Sequence, residues 1–239
     1  MLNAGGRVVN NWIYPIDKGY VLIDTGYENR FAHFKKQLAK MKIAPQQIRY
    51  IFLTHAHDDH AGYLNEILSE CSDVQIVMSD KALERLYRGQ NSFHGGCTTK
   101  IALFFCFLMK FVGKGKHLFP PIKQEYSCRC IQVTEQNRKQ MELLLQGKII
   151  DTPGHTPDSI SLLLNDGSLF CGDAAMNGLP SLHRITIWAE DKTAFVKSWE
   201  TIIALRPNLI YPGHGKPFGY DDLKINLKRV KNMELLPIH

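Results

Sequence analysis

"IFLTHAHDDHAG", residues 51–62, sets three histidines and two aspartates within six positions, straight after four mostly apolar residues. Imidazoles and carboxylates crowded that closely compete or repel once buried, and each costs stability unless a positive charge gathers them. A divalent cation is the usual gatherer. His55 and His57, two apart in extended backbone, point to the same side, while Asp59 and His60, on the first turn of a following helix, aim at a neighbouring point. The stretch therefore offers donors for two adjacent ions.

Further potential ligands obey the same grammar. "KIIDTPG" runs into His155, "SLFCG" into Asp173 and "NLIYPG" into His214, as "IFLT" runs into His55, and a glycine or threonine precedes each of these ligands. Ligands bind beyond strand ends in open α/β sheets, so side chains delivered this way converge on one rim although they lie far apart in sequence.

Strands and helices alternate along the first eighty residues. "GYVLIDTG" is a strand ending at Asp24, Phe31, Phe34, Leu38 and Met41 recur at helical spacing, and "RYIFLT" and "VQIVMSD" are strands. Asp58 and Asp59 open a single helix that carries Leu64, Ile67 and Leu68. Later, "SISLLLNDGSLFCGDA" is a hairpin turning at Asn165, Asp166 and Gly167. "TAFVKSWETIIAL" places Phe195, Val196, Trp199, Ile202 and Ile203 on one helical face, and a last helix spans about Asp221 to Glu234. No linker rich in Gly, Ser or Pro separates the two halves, and 239 residues with 44% apolar content suit one domain, α/β in class, with two sheets packed together and helices outside.

The pattern breaks between about Gly89 and Ser127, where loop material surrounds one block, "IALFFCFLMKFVG". The block has neither strand nor amphipathic-helix periodicity, and packing on the core is its default expectation. It is too short to span a bilayer, and "MLNAGGRVVN" lacks the pattern of a signal peptide, so a cytoplasmic protein is expected. Six cysteines in a chain of this size read as reduced thiols, with Cys128 and Cys130 on alternate positions of a strand. Residues 81–148 hold twelve Lys and Arg against four Glu and no Asp, a balance of +8 within a net +6, so the rest of the chain is slightly acidic. That asymmetry suits an anionic substrate, a nucleic acid or a membrane surface.

"HAHDDH" matches the HxHxDH signature of the metallo-β-lactamase superfamily, and "DTG", "PGHT", "GDA" and "PGHG" occur with it in that family's order from Asp24 to His214. The resemblance implies a four-layer αββα sandwich spanning 1–239 as a single domain, with an insertion near 89–127, and a dinuclear metal centre at its edge. By motif, His55, His57 and His155 would hold the first metal, and Asp59, His60 and His214 the second. Asp173 would bridge them, and Asp24 would orient ligands through hydrogen bonds. The implied chemistry is hydrolysis by a metal-bridging hydroxide, with Asp59 or a metal-bound water supplying the proton. Zinc suits these ligands best, though iron and manganese accept the same set.

Within the superfamily, Asp173 separates this chain from true β-lactamases, which carry cysteine or serine there, and His57 separates it from the oxygen-reducing diiron branch, which usually has Glu. It departs from glyoxalase II proteins at Asp158 and Ser159 and in the 25 residues after His214, and from quorum-signal lactonases at Met176. An ester, thioester or lactone substrate is therefore expected, small, acyl-bearing or anionic. Residues 89–127 are expected to form a lid whose apolar block and lysines Lys110, Lys114, Lys116 and Lys123 receive an amphiphile. The alternatives are a phosphodiesterase or nuclease using the same metals, for which no RNA-binding motif is found, and a non-catalytic metal-dependent binding or sensing module. His33, His94, His117, His183 and His239 lie outside the matched motifs; a surface or satisfied core position is the expectation for His183 and His94, with contact to substrate or protonation of a leaving group the alternative for His183.

Overall fold

The computed structural model describes residues 1–112 and 115–238. The chain divides into two compact units, Met1–Asn91 with Leu118–Lys148, and Ser92–His117 with Ile149–His239.

In the first unit, a six-stranded sheet runs in the order Leu2–Asn3, Trp12–Ile16, Gly19–Ile23, Ile48–Phe52, Gln75–Ser79 and Cys130–Val133. The first three strands pair antiparallel and the rest parallel. Parallel strands are covered on both faces, which is why "YIFL" and "IVM" read as unbroken apolar runs instead of alternating. The helix Phe31–Lys40 buries Phe31, Phe34 and Leu38, as its spacing predicts, and these join Tyr63, Ile67 and Ile51 in one core.

The helix expected to open at Asp58 is in fact two, Asp58–Ala61 and Leu64–Glu70. The break spans Gly62 and Tyr63: Tyr63 leaves helical geometry at φ −114° and ψ 26°, while Gly62 keeps helical angles and donates its N–H to the Gly26 carbonyl at 2.9 Å. A Cβ on Gly62 would sit 2.3 Å from the Glu28 backbone nitrogen, so only glycine lets the two segments approach. Gly62→Ala is accordingly expected to cost at least about 2 kcal/mol of stability, read as a lowered urea midpoint.

A four-stranded sheet has the order Leu209–Pro212, Ser168–Gly172, Ile160–Leu164 and Gly147–Asp151, all in the second unit except Gly147 and Lys148. The expected hairpin is present: its strands pair antiparallel, and Gly167, at φ +82°, donates to the Leu164 carbonyl at 3.0 Å. The helix Lys192–Leu205 starts at Asp191, whose carboxylate accepts from the Ala194 N–H at 3.0 Å, and it buries Phe195, Trp199 and Ile202, with Val196 and Ile203 half-covered. The last helix, Asp221–Asn232, ends two residues before the expected limit.

Two expectations need correction. Cys128 lies in a 3₁₀ turn, Gln124–Arg129, and only Cys130 enters the strand, so the pair does not alternate along it. All six cysteines are free thiols. The block "IALFFCFLMKFVG" does not pack as core. It forms the helix Lys100–Phe111, capped by the Thr99 hydroxyl, in which Ala102 alone is fully buried. Of the lysines read with it, Lys114 lies outside the described residues, as does His239 at the end of the chain. No helix among the described residues is long and apolar enough to cross a membrane.

Candidate metal centre

Asp24 comes directly after the strand Gly19–Ile23 and takes φ +56°, a left-handed conformation that aspartate tolerates better than most residues. Its N–H donates to the Phe52 carbonyl at 3.0 Å, which ties it to the end of the neighbouring strand where the histidine motif begins. Its carboxylate is buried and organises Thr54 and His60 around it. Oδ1 accepts the Thr54 backbone N–H at 2.7 Å, while Oδ2 accepts the Thr54 hydroxyl at 2.7 Å and lies 2.8 Å from His60 Nδ1.

Those contacts fix two imidazole tautomers. A carboxylate only accepts, so His60 carries its proton on Nδ1 and its lone pair on Nε2. The Thr54 hydroxyl donates its hydrogen bond to Asp24, so its oxygen accepts from His55 Nδ1 at 3.0 Å, which leaves the His55 lone pair on Nε2 as well. One buried carboxylate thus orients two imidazoles, His60 directly and His55 through Thr54. The hydrogen bonds expected of Asp24 are present, to Thr54 and His60. The role of Thr54 was missed: the sequence showed a threonine before His55 but not where its hydroxyl points.

The imidazoles of His55, His57 and His60 are buried together, with ring centroids 4.7 Å apart for His55 and His57 and 4.2 Å for His55 and His60. His57 is still extended, at φ −114° and ψ 161°, and the helix begins at Asp58. The two adjacent aspartates are distinguished by their surroundings. Asp58 is held by Asn91, which donates to its carboxylate at 2.7 Å and accepts its backbone N–H at 2.9 Å. Asp59 instead places Oδ1 3.7 Å from His60 Nε2.

In the second unit, His155 is preceded by Gly154, whose φ of +130° and whose contact with Phe195 exclude any side chain: a Cβ would lie 2.3 Å from the Phe195 nitrogen. His155 Nδ1 lies 2.8 Å from the Trp188 carbonyl, an acceptor only, so here too the lone pair is on Nε2. Sequence reading missed this anchor, 33 residues away, because a backbone carbonyl carries no residue signature. Asp173 is next to Gly172 at the end of its strand, and Oδ2 lies 3.7 Å from His155 Nε2 and 3.4 Å from His214 Nε2. His183 and His94 are both exposed, and the His94 backbone donates its N–H to Ser92 Oγ and accepts from Trp188 Nε1 at its carbonyl.

These separations, 3.4 to 3.7 Å, are long for hydrogen bonds. They match the edge of a tetrahedron around an ion with bonds of about 2.0–2.1 Å, roughly 3.3 Å. Buried imidazole nitrogens with inward lone pairs, beside carboxylate oxygens at such spacing, fit a borderline-soft divalent cation.

The chain belongs to the Metallo-beta-lactamase superfamily, which it matches over residues 4–214. Among curated relatives, it is 28% identical over 237 residues to the Beta-lactamase-like protein 2 homolog of Drosophila melanogaster, covering 95% of this chain and 66% of that protein. To the homolog of that name from Caenorhabditis elegans it is 26% identical, covering 86% of this chain and 55% of that protein. The chain thus spans less than two thirds of the length of these two relatives. The Probable metallo-hydrolase YflN of Bacillus subtilis is 25% identical, with 89% and 81% covered. Among solved structures, TTHA1623 in a di-iron-bound form superposes with a TM-score of 0.62 at 19% identity over 95% of this chain and 96% of the other. The metallo-β-lactamase FIM-1 from Pseudomonas aeruginosa in its mono-zinc form gives 0.62 and 19% over 95% and 85%. These likenesses establish the metallo-β-lactamase fold expected from the motifs.

Proposed function

We propose that this chain is a dinuclear metal-dependent hydrolase acting on the carbonyl of an ester, thioester or lactone. The observation that carries the reading is the position of Asp173 Oδ2, within 3.7 Å of His155 Nε2 and 3.4 Å of His214 Nε2. In the proposed assignment, His155 serves one ion with His55 and His57, and His214 serves the other with Asp59 and His60, and a carboxylate beside both histidines supports a bridging role. Two divalent cations, with zinc the best match to the donors, would supply an acidified water and a Lewis acid for the carbonyl oxygen.

The protein's own groups do the rest. Asp24, Thr54 and the Trp188 carbonyl hold the Nδ1 protons of His60, His55 and His155, so each presents a basic Nε2 without rotating. Asp59, whose side chain keeps 14% exposure, directs Oδ1 toward His60 and would pass a proton through Oδ2 to the departing oxygen or sulfur. In the same reading residues 89–127 are an insertion in one domain spanning 1–239 and shape the choice of substrate.

Turnover of thioester, lactone and bis-aryl phosphate substrates by the zinc-, iron- and manganese-loaded chain tests this directly. Hydrolysis of a carbonyl substrate is the expected result, and activity on the phosphate alone would replace the proposal with a phosphodiesterase. Thr54→Val keeps the side-chain shape and removes the relay to His55. It is expected to weaken metal binding about tenfold, measured by competition with a chromogenic chelator, with the folded state intact.

A further inference from the structure

The helix Lys100–Phe111 is built inside out. Ala102 points inward, while Ile101, Phe104, Phe107, Leu108 and Phe111 are 53%, 69%, 59%, 47% and 82% exposed. At 100° per residue, these five positions and Val112 fall on one continuous side of the helix, opposite Ala102. Twelve residues make a rod about 18 Å long, so three aromatic rings and two long aliphatic chains line most of its length. A contiguous apolar strip of that kind in water marks a surface meant to be covered.

Charge says what covers it. Between Glu84 and Glu125 the chain has no acidic residue and seven basic ones, and Lys100, Lys110 and Lys116 lie on or just beyond the helix, each exposed. A second copy of this face would bring the same positive charges against their like. An anionic lipid surface supplies both halves of the complement: acyl chains for the phenylalanines and phosphate for the lysines.

We propose that the side of this helix carrying Ile101, Phe104, Phe107, Leu108 and Phe111 docks in the plane of an anionic phospholipid bilayer, sunk to headgroup depth, without crossing it. The proposal stands on the helix alone and is independent of what the metal centre hydrolyses. Its basic flanks set the preference for anionic lipid, and its rings set the depth.

Flotation of the full chain with vesicles tests it. Vesicles of phosphatidylcholine with about a third phosphatidylglycerol should raise the bound-to-free ratio at least about tenfold over phosphatidylcholine alone, and molar salt should largely abolish the gain. Substituting Phe104→Ser, Phe107→Ser and Phe111→Ser together, all at exposed positions, should lose the bound fraction while circular dichroism and thermal unfolding stay as in the parent. Lys100→Glu with Lys110→Glu should lose the lipid selectivity. The parent chain's failure to float with anionic vesicles would overturn the proposal whatever the variants do. So would equal binding to neutral vesicles, or a dimer in sedimentation velocity that the triple serine substitution splits.

Discussion

Asp24→Asn is expected to lower metal affinity by about 10- to 100-fold while the chain stays folded. Asparagine tolerates the φ of +56° found here, and its carbonyl can still accept the Thr54 N–H that Asp24 Oδ1 accepts now. Its amide, however, donates where Oδ2 accepts. His60 must then take the tautomer with its proton on Nε2, and Thr54 loses the acceptor that leaves its oxygen open to His55. Two ligands are spoiled by one atom. Asp24→Ala should do something different: it leaves the Thr54 N–H, the Thr54 hydroxyl and His60 Nδ1 without their buried acceptor and puts alanine at a positive φ, a cost of about 3 kcal/mol or more. Chelator competition together with urea unfolding of both variants separates the tautomer effect from the stability effect. Asparagine with undiminished affinity would show that tautomer control is not what Asp24 supplies.

Asp173→Ala should have the larger effect on catalysis. In the proposed assignment, removing this carboxylate would take one ligand from each ion at once, and the loss of several kcal/mol of transition-state stabilisation corresponds to a fall of about a thousandfold or more in kcat/KM. Asp58→Ala is the contrasting control. Its carboxylate is engaged by Asn91, so it should lose some stability and keep its metals.

The proposed ligand set was legible because it lies in short motifs at strand ends, where backbone geometry leaves little freedom: "HAHDDH" comes after the strand Ile48–Phe52, and Asp173 after Ser168–Gly172. What escaped was set by tertiary approach. Thr54 could be seen but not the direction of its hydroxyl, and the Trp188 carbonyl that fixes His155 belongs to a distant segment with no motif of its own. The expected helix is split at Tyr63, beside a Gly62 that the Glu28 backbone passes against, which no helical periodicity reports. The block at Lys100–Phe111 misled for the opposite reason. Apolar on nearly every position, it gives no period, and burial was the natural default for so many phenylalanines. Its helical form and exposed face depend on Thr99 capping and on how little of it the second unit covers.

The most direct test of the central claim is elemental analysis of the zinc-loaded chain and its Asp173→Ala variant after dialysis against metal-free buffer. Two ions per parent chain, with both weakened in the variant, is the predicted result. A parent chain that retains none, or a variant with unchanged metal content, would contradict it.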